Sequence, residues 1–346
     1  MPSGSSKSSS KPKPSEVASE AKRYYIPQIT NGDYKGKWQP YSYIYYQPLV
    51  QLNLLERPRS LSPPQFFVST GDPVDYALNC AAQYQCPVPF ICAANDKRPG
   101  GDWETAAMGY EERLCRRSTL SLNLITPGRS SAVAQHYPIP SCGAILSNDV
   151  VVFRGPHDKY EKLHPSSWRA LPVVSMPPMR WPKLTPDGTK YSFANEREMV
   201  KDKLRAALRI CVYADFTNVV IGDFGLGNSS RNPPQELAEL WREVLLYDPD
   251  LRGRLRSVSF VFEDERQCTH QLILDEIAKK SKGGSSGSGS KSKSSSSSSS
   301  VKLPPPTPSI YPTDYQIFSG VFNINEVHRV LSQPDSRYGL NNLLAA

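Results

Sequence analysis

The chain has no apolar run long enough to cross a bilayer, and its first residues contain no signal-peptide-like apolar stretch. It therefore reads as soluble and intracellular, cytoplasmic or nuclear, with no membrane partner. No Cys-x-x-Cys pair occurs. The seven cysteines (Cys80, Cys86, Cys92, Cys115, Cys142, Cys211 and Cys268) are scattered and odd in number, which argues against a zinc site. Free buried thiols in a reducing compartment are the expectation. Walker A spacing and an internal repeat are also missing.

Excess charge in the folded part is scarce too. The formal net charge is +8, but nine lysines lie within residues 1–15 and 279–302, where no acid offsets them. The remainder is close to neutral, so it offers no electrostatic case for direct nucleic-acid binding. Ser, Lys, Pro and Gly dominate residues 1–15, and Ser, Gly and Lys alone make up 281–300. Such segments cannot bury enough apolar surface to offset the entropy of ordering. The chain accordingly divides into a disordered tail (1–20), a folded body (21–278), a low-complexity insertion (279–302) and a C-terminal segment (303–346). In that last segment Tyr315, Phe318, Val321 and Phe322 are apolar enough to pack back on the body.

Strand-like and helix-like stretches alternate along the body. Val88–Ala93, Ala170–Val174, Asn218–Ile221 and Val258–Phe262 read as buried strands. Ala144–Leu146 and Val150–Phe153 flank Asn148-Asp149 and read as a hairpin. Glu111–Leu120, Glu196–Cys211 and Glu236–Leu246 read as helices, the last opened by Pro233-Pro234. This alternation predicts an α/β sandwich.

Two glycine turns stand out, Pro99-Gly100-Gly101 and Gly222-Asp223-Phe224-Gly225-Leu226-Gly227. Each follows an apolar strand and precedes a helix, where backbone N–H groups face the crevice of an α/β sheet. Two such turns suit the two phosphates of a nucleotide sugar; the plainer reading is that the glycines only shape turns. Asp223-Phe224-Gly225 matches the kinase tripeptide, but no His-Arg-Asp loop accompanies it. Glu111 and Glu112 fall at the start of a helix, with side chains about 100° apart. One can serve a glycosidic oxygen while the other holds a hydroxyl. Mutual repulsion and burial raise a carboxyl pKa, whereas a helix N-terminus lowers it, and the sequence leaves that balance open. The plainer reading of the pair is two solvated first-turn glutamates.

In order, Ile91-Cys92-Ala93-Ala94-Asn95, Pro99-Gly100-Gly101, Tyr110-Glu111-Glu112-Arg113-Leu114-Cys115-Arg116, Asp149–Arg154 and Gly222–Gly227 resemble the microbial-type poly(ADP-ribose) glycohydrolases. The resemblance spans roughly residues 65–265. It implies a macrodomain-like three-layer α/β/α sandwich with a mixed central sheet. It further implies ADP-ribose or poly(ADP-ribose) as ligand and ADP-ribosylated proteins as partners, in a monomer without metal or cofactor. Position by position, Glu112 matches the catalytic glutamate and Glu111 the one that orients ribose hydroxyls. Asn95 matches a distal-ribose contact. Gly100, Gly101 and Asp102 match the first phosphate-facing turn, Tyr110 the position before the glutamates, and Gly222, Phe224, Gly225, Leu226 and Gly227 the second turn. Thr70-Gly71-Asp72 is a loose match beside the adenine.

Three positions depart from the family pattern. Asp102 replaces a third glycine, Tyr110 replaces a glutamine, and Ser229 or Ser230 stands where a phenylalanine packs on the distal ribose. Three functions follow: a hydrolase of ribosyl O-glycosidic bonds acting through Glu112, a macrodomain that reads ADP-ribose without cutting it, or an interaction scaffold.

Overall fold

The structure, a computed structural model, describes residues 12–60, 62–129, 134–283 and 310–333. Seven strands form its sheet: β1 (Ser42–Tyr45), β2 (Gln65–Thr70), β3 (Phe90–Ala93), β4 (Ala144–Val152), β5 (Arg169–Met176), β6 (Asn218–Ile221) and β7 (Ser257–Phe262). Their spatial order is β1-β4-β5-β3-β6-β7-β2. The β1–β4 and β4–β5 pairs are antiparallel and the other four are parallel, so the sheet is mixed.

Helices cover both faces: α1 (Pro14–Glu20), α2 (Ile26–Thr30), α3 (Pro48–Gln51), α4 (Pro73–Tyr84), α5 (Tyr110–Arg117), α6 (Leu120–Leu124), α7 (Ala194–Tyr213), α8 (Gly227–Ser230), α9 (Pro234–Tyr247), α10 (Thr269–Gly283), α11 (Asp314–Val321) and α12 (Ile324–Ser332). The period-2 alternation of strand side chains divides the interior into two cores. Ile91, Val219, Ile221, Phe260 and Phe262 point to the side carrying α7, α9 and α11. Phe90, Cys92, Val220 and Val261 point to the side carrying α1, α4, α5 and α6. The result is the three-layer α/β/α sandwich read from the sequence.

Several boundaries differ from the sequence reading. Ala144–Leu146 and Val150–Phe153 do not form a hairpin. They belong to one strand, β4, whose two parts pair with β5 in the same direction and whose register shifts between Ser147 and Val150. Asn148-Asp149 is thus a bulge rather than a reversal. The Asp149 side chain accepts from the Gln39 amide at 2.9 Å and its carbonyl accepts from Asn123 at 3.2 Å, which holds the irregularity in place.

The tail drawn as disordered through residue 20 is helical from Pro14, because Val17, Ala18 and Ala21 find a buried place on the α5 side. Similarly, α10 runs past Lys279 to Gly283, where the insertion was expected to have begun. The rest of that insertion lies outside the described residues. Beyond it, α11 is opened by a capping box between Thr313 and Gln316. Its Phe318 stacks edge-on against Phe260 and Phe262, with ring centroids 5.1 and 5.2 Å apart.

Candidate active site

The parallel strands β3, β6, β7 and β2 all end on the same side of the sheet, and the chemistry-bearing segments gather there. β3 delivers Asn95. Its side-chain oxygen accepts from the amides of Lys97 (2.8 Å) and Arg98 (3.1 Å), closing a tight turn that leads into the glycines. Gly100 and Gly101 have φ of +68° and +55°, the left-handed region that suits glycine. Space matters as much as conformation here. A Cβ on Gly100 would sit 2.8 Å from the Trp103 ring and 2.9 Å from Cys115 Sγ.

The segment from Trp103 to Ala107 is pinned by Arg116, which is fully buried on α5. Its Nε donates to the Trp103 carbonyl at 2.8 Å, and its Nη2 donates to the carbonyls of Thr105 at 3.0 Å and Ala107. One helix therefore carries both glutamates and the cation that fixes the approach to them. Arg117, on the same helix, bridges Asp72 at 2.8 Å and Asp75 at 2.6 Å. Asp72 also caps α4 by accepting from the Asp75 amide at 2.9 Å. Thr70-Gly71-Asp72 thus has a structural task at the helix start.

Glu111 and Glu112 part as their helical spacing requires. Glu111 is buried, with 1% of its surface exposed, and Oε2 accepts from the Asn95 amide at 2.8 Å. Oε1 is sealed from solvent and unpaired. Burial pushes the carboxyl up to about 8, aided by the Glu112 charge and opposed by the Asn95 amide and Arg180. The reading of two solvated glutamates fails for Glu111. Desolvation outweighs the helix N-terminus, settling the balance that the sequence left open. Tyr137, whose hydroxyl lies beside Glu111, has its own pKa raised by burial and by that carboxylate.

Glu112 is half-buried and lies between two glycines. A Cβ on Gly101 would fall 2.3 Å from Oε1, and one on Gly109 would fall 2.0 Å from Oε2. The Asp102 amide donates to Oε1 at 3.4 Å. The Asp102 carboxylate itself is exposed and ion-paired with Arg98 at 2.6 Å, so a neighbouring cation partly offsets its charge.

Tyr110 lies beside the start of the second glycine turn. A Cβ on Gly222 would stand 3.3 Å from both its Cζ and its Oη, and its ring packs on Phe90 at 5.6 Å. The hydroxyl is buried and unpaired, and desolvation raises its pKa well above the usual phenol value. Beside it Arg113 forms an ion pair with Glu263 at 2.5 Å and contacts the His157 ring at 3.1 Å. The space left among Asp72, Tyr110, Arg113, His157 and Glu263 is about 10 Å³, enough for roughly one water.

The second glycine turn is held mostly from behind. Phe224 and Leu226 point into the core, Phe224 edge-on to Trp241 at 5.9 Å, and their amides donate within the turn to the Gly222 and Asp223 carbonyls at 2.7 and 3.1 Å. Gly225 and Gly227 adopt φ of +80° and +68°. The Gly227 amide donates to Thr269 Oγ1 at 2.8 Å, and that hydroxyl donates to Asp314 at 2.6 Å. Asp314 opens α11, so the C-terminal segment buttresses this turn. Asp223 is half-buried, with its carboxyl pushed up to about 8 by desolvation and by Glu263 and Asp314. Ser230 is buried and Ser229 exposed on α8. Arg231 is taken up by the Trp181 ring at 4.1 Å and Glu276 at 3.2 Å.

The structure therefore joins Asn95, Gly100, Gly101, Glu111 and Glu112 directly, and connects Tyr110 to Gly222. Sequence reasoning missed Gly109, Arg116, Tyr137 and Arg180. Gly109 carried a signal, as the residue just before the helix that bears the paired glutamates. The others act through contacts between segments distant in sequence. Arg180 is exposed, donates to the Ala94 carbonyl at 3.1 Å, and is the cation that lowers the Glu111 pKa. Among the described residues no cluster of His, Cys, Asp and Glu is arranged to hold a metal, and no helix is long and apolar enough to cross a membrane.

Residues 20–155 match the family described as microbial-type PARG, catalytic domain. The match contains Asn95, the first glycine turn and both glutamates; it ends before the second glycine turn. No curated protein matches the chain. Among solved structures, the fold is similar to the X-ray structure of poly(ADP-ribose) glycohydrolase from Thermomonospora curvata. The TM-score is 0.55 at 18% identity, covering 76% of this chain and 98% of that one. The T. curvata enzyme bound to the inhibitor ADP-HPD gives the same values. A mutant of the Deinococcus radiodurans enzyme in complex with ADP-ribose gives a TM-score of 0.50 at 20% identity, covering 69% of this chain and 94% of that one. The resemblance read from the motifs thus has a counterpart in a family match over residues 20–155 and in a shared fold.

Proposed function

We propose that the protein is a hydrolase that binds ADP-ribose units and cleaves the ribosyl O-glycosidic bonds of poly(ADP-ribose), or a related ADP-ribosyl linkage on modified proteins. The observation that carries this reading is the unequal pair of carboxyls at the end of β3. Glu111 is buried and keeps its proton to about pH 8, while Glu112 occupies a space left open by Gly101 and Gly109. Glu111 is thereby suited to hold a ribose hydroxyl, and Glu112 is left as the carboxyl that can reach a glycosidic oxygen.

In this mechanism the glycine turns lie against the diphosphate, where the absence of a Cβ lets the backbone come close. Glu111, tied to the Asn95 amide, orients ribose hydroxyls and donates a hydrogen bond while protonated. Glu112 gives its proton to the leaving ribosyl oxygen as the C1–O bond breaks. The resulting carboxylate then takes a proton from the water that attacks the oxocarbenium-like C1, which restores the acid and leaves a C1 hydroxyl.

Glu112→Gln tests the reading. With labelled poly(ADP-ribose), wild type should release ADP-ribose, and the variant should lose at least about a hundredfold in rate, the usual lower bound for general acid/base work, while keeping ADP-ribose affinity. A second reading, a protein that binds ADP-ribose without cutting it, draws support from Tyr110, whose ring fills space against Gly222. Affinity without release from wild type selects it. Neither binding nor release removes both readings and leaves the scaffold.

A further inference from the structure

A sizeable cavity lies away from the glutamates. It measures about 690 Å³ and lies at the opposite ends of β2, β6 and β7, where Gln65, Thr217 and Arg256 enter the sheet. Six residues of β7 at roughly 3.3 Å each place it about 20 Å from Glu263 and the candidate active site. Arg57, Arg59, Arg254 and Arg256 line it, against one carboxylate, Asp215, which is already ion-paired with Arg57. Arg59 donates to a neutral carbonyl, that of Pro249, at 2.8 Å.

Arg254 is 5% exposed, donates one bond to the Arg57 carbonyl, and has a buried Nε without a partner. Burial and the adjacent Arg59 hold its pKa below the usual arginine value. Asp250, itself ion-paired with Arg209, offsets this only in part, so a further anion would be favoured. The arginines are also held in place. Gly253 has φ +72°, and a Cβ there would lie 2.1 Å from the Ser60 carbonyl; the Ser60 amide donates to the Gly253 carbonyl at 2.6 Å. The strand-entry turn and the 57–60 loop are thereby strapped together.

We infer that this cavity is a second anion site, which takes a phosphate or pyrophosphate group between Arg59, Arg254 and Arg256. Guanidinium forks match phosphate oxygens in geometry and charge. The inference rests on this cavity alone. Only the source of the phosphate, a free small ester or a distant unit of a polymeric substrate, involves the proposed cleavage.

The experiment uses the full chain carrying Glu112→Gln, so that no polymer is consumed, and titrates it with inorganic pyrophosphate by calorimetry. Binding should weaken at least tenfold when Arg59→Gln and Arg256→Gln are added together, and should weaken with rising salt. Both side chains are exposed, so the thermal midpoint should hold. Competition by poly(ADP-ribose) assigns the phosphate to the polymer; pyrophosphate binding without such competition assigns it to a free ester, and either supports the site. No pyrophosphate binding, or equal binding by the double arginine variant, overturns it whatever becomes of the glycosidase reading.

Discussion

The Asn95 amide donates a 2.8 Å hydrogen bond to Glu111 Oε2, which ties the end of β3 to the first turn of α5. This bond fixes a buried carboxyl at the strand edge and leaves Glu112, one residue on, facing the glycines. The different surroundings of the two glutamates follow from that single contact and from the 100° helical step.

Stability should fall as pH rises from about 4 to 8. Glu111 and Asp223 have pKa values of about 8 when folded, above the ordinary 4.5 and 3.8. The native state then binds more protons than the unfolded chain across this window. Their stabilising contribution is complete below about pH 4 and is lost as pH passes 8. Urea unfolding at stepped pH should show this decline, and Glu111→Gln should flatten it.

Gly109→Ala should slow turnover about a hundredfold while leaving the fold intact. Gly109 has φ −60°, so alanine brings no backbone strain; its Cβ meets only the Glu112 carboxylate, 2.0 Å from Oε2. Displacing that group by about 1 Å is enough for a rate loss of about a hundredfold. An unchanged rate of ADP-ribose release would argue that Glu112 does not carry the chemistry.

Asp102→Gly should change ADP-ribose affinity by less than about threefold. The carboxylate is exposed and paired with Arg98, and such pairs contribute about 0–1 kcal/mol. Calorimetric titration with ADP-ribose measures it. A gain of tenfold would show instead that Asp102 faces the phosphates.

Thr269→Val should loosen the second glycine turn. It leaves the Gly227 amide and Asp314 without their shared hydroxyl, at a cost of roughly 1–3 kcal/mol. Hydrogen exchange at Gly227 should accelerate and ADP-ribose should bind more weakly, while exchange at the Asn95 turn stays as in wild type.

Tyr110→Gln should strengthen ADP-ribose binding at some expense of stability. The substitution removes a ring packed on Phe90 and frees the space against Gly222. Thermal melting and affinity measured on the same sample read both effects, and weaker binding by the variant would give Tyr110 a direct part in holding the ligand.

Much of this was legible in the chain. Local signals marked the strand cores, since β6 coincides with the apolar run Asn218–Ile221, and α9 begins at its paired prolines. The same local reasoning misread Asn148-Asp149, because a bulge and a turn use the same residues and only pairing with β5 distinguishes them. It also ended the N-terminal tail too late, because the burial of Val17 and Ala18 depends on a surface supplied by distant segments.

The sequence by itself determined the alternation that makes an α/β sandwich, the glycines that leave room at the strand ends, and the adjacency that sends two glutamates in different directions. Those are properties of neighbours along the chain. Only the tertiary structure decided which glutamate is buried, that Asp102 pairs with Arg98, that Tyr110 meets Gly222, and that Asp314 supports the second turn from α11. Each of these depends on desolvation or on contact across the fold, and a carboxyl acquires its pKa from the groups packed around it rather than from its neighbours in sequence.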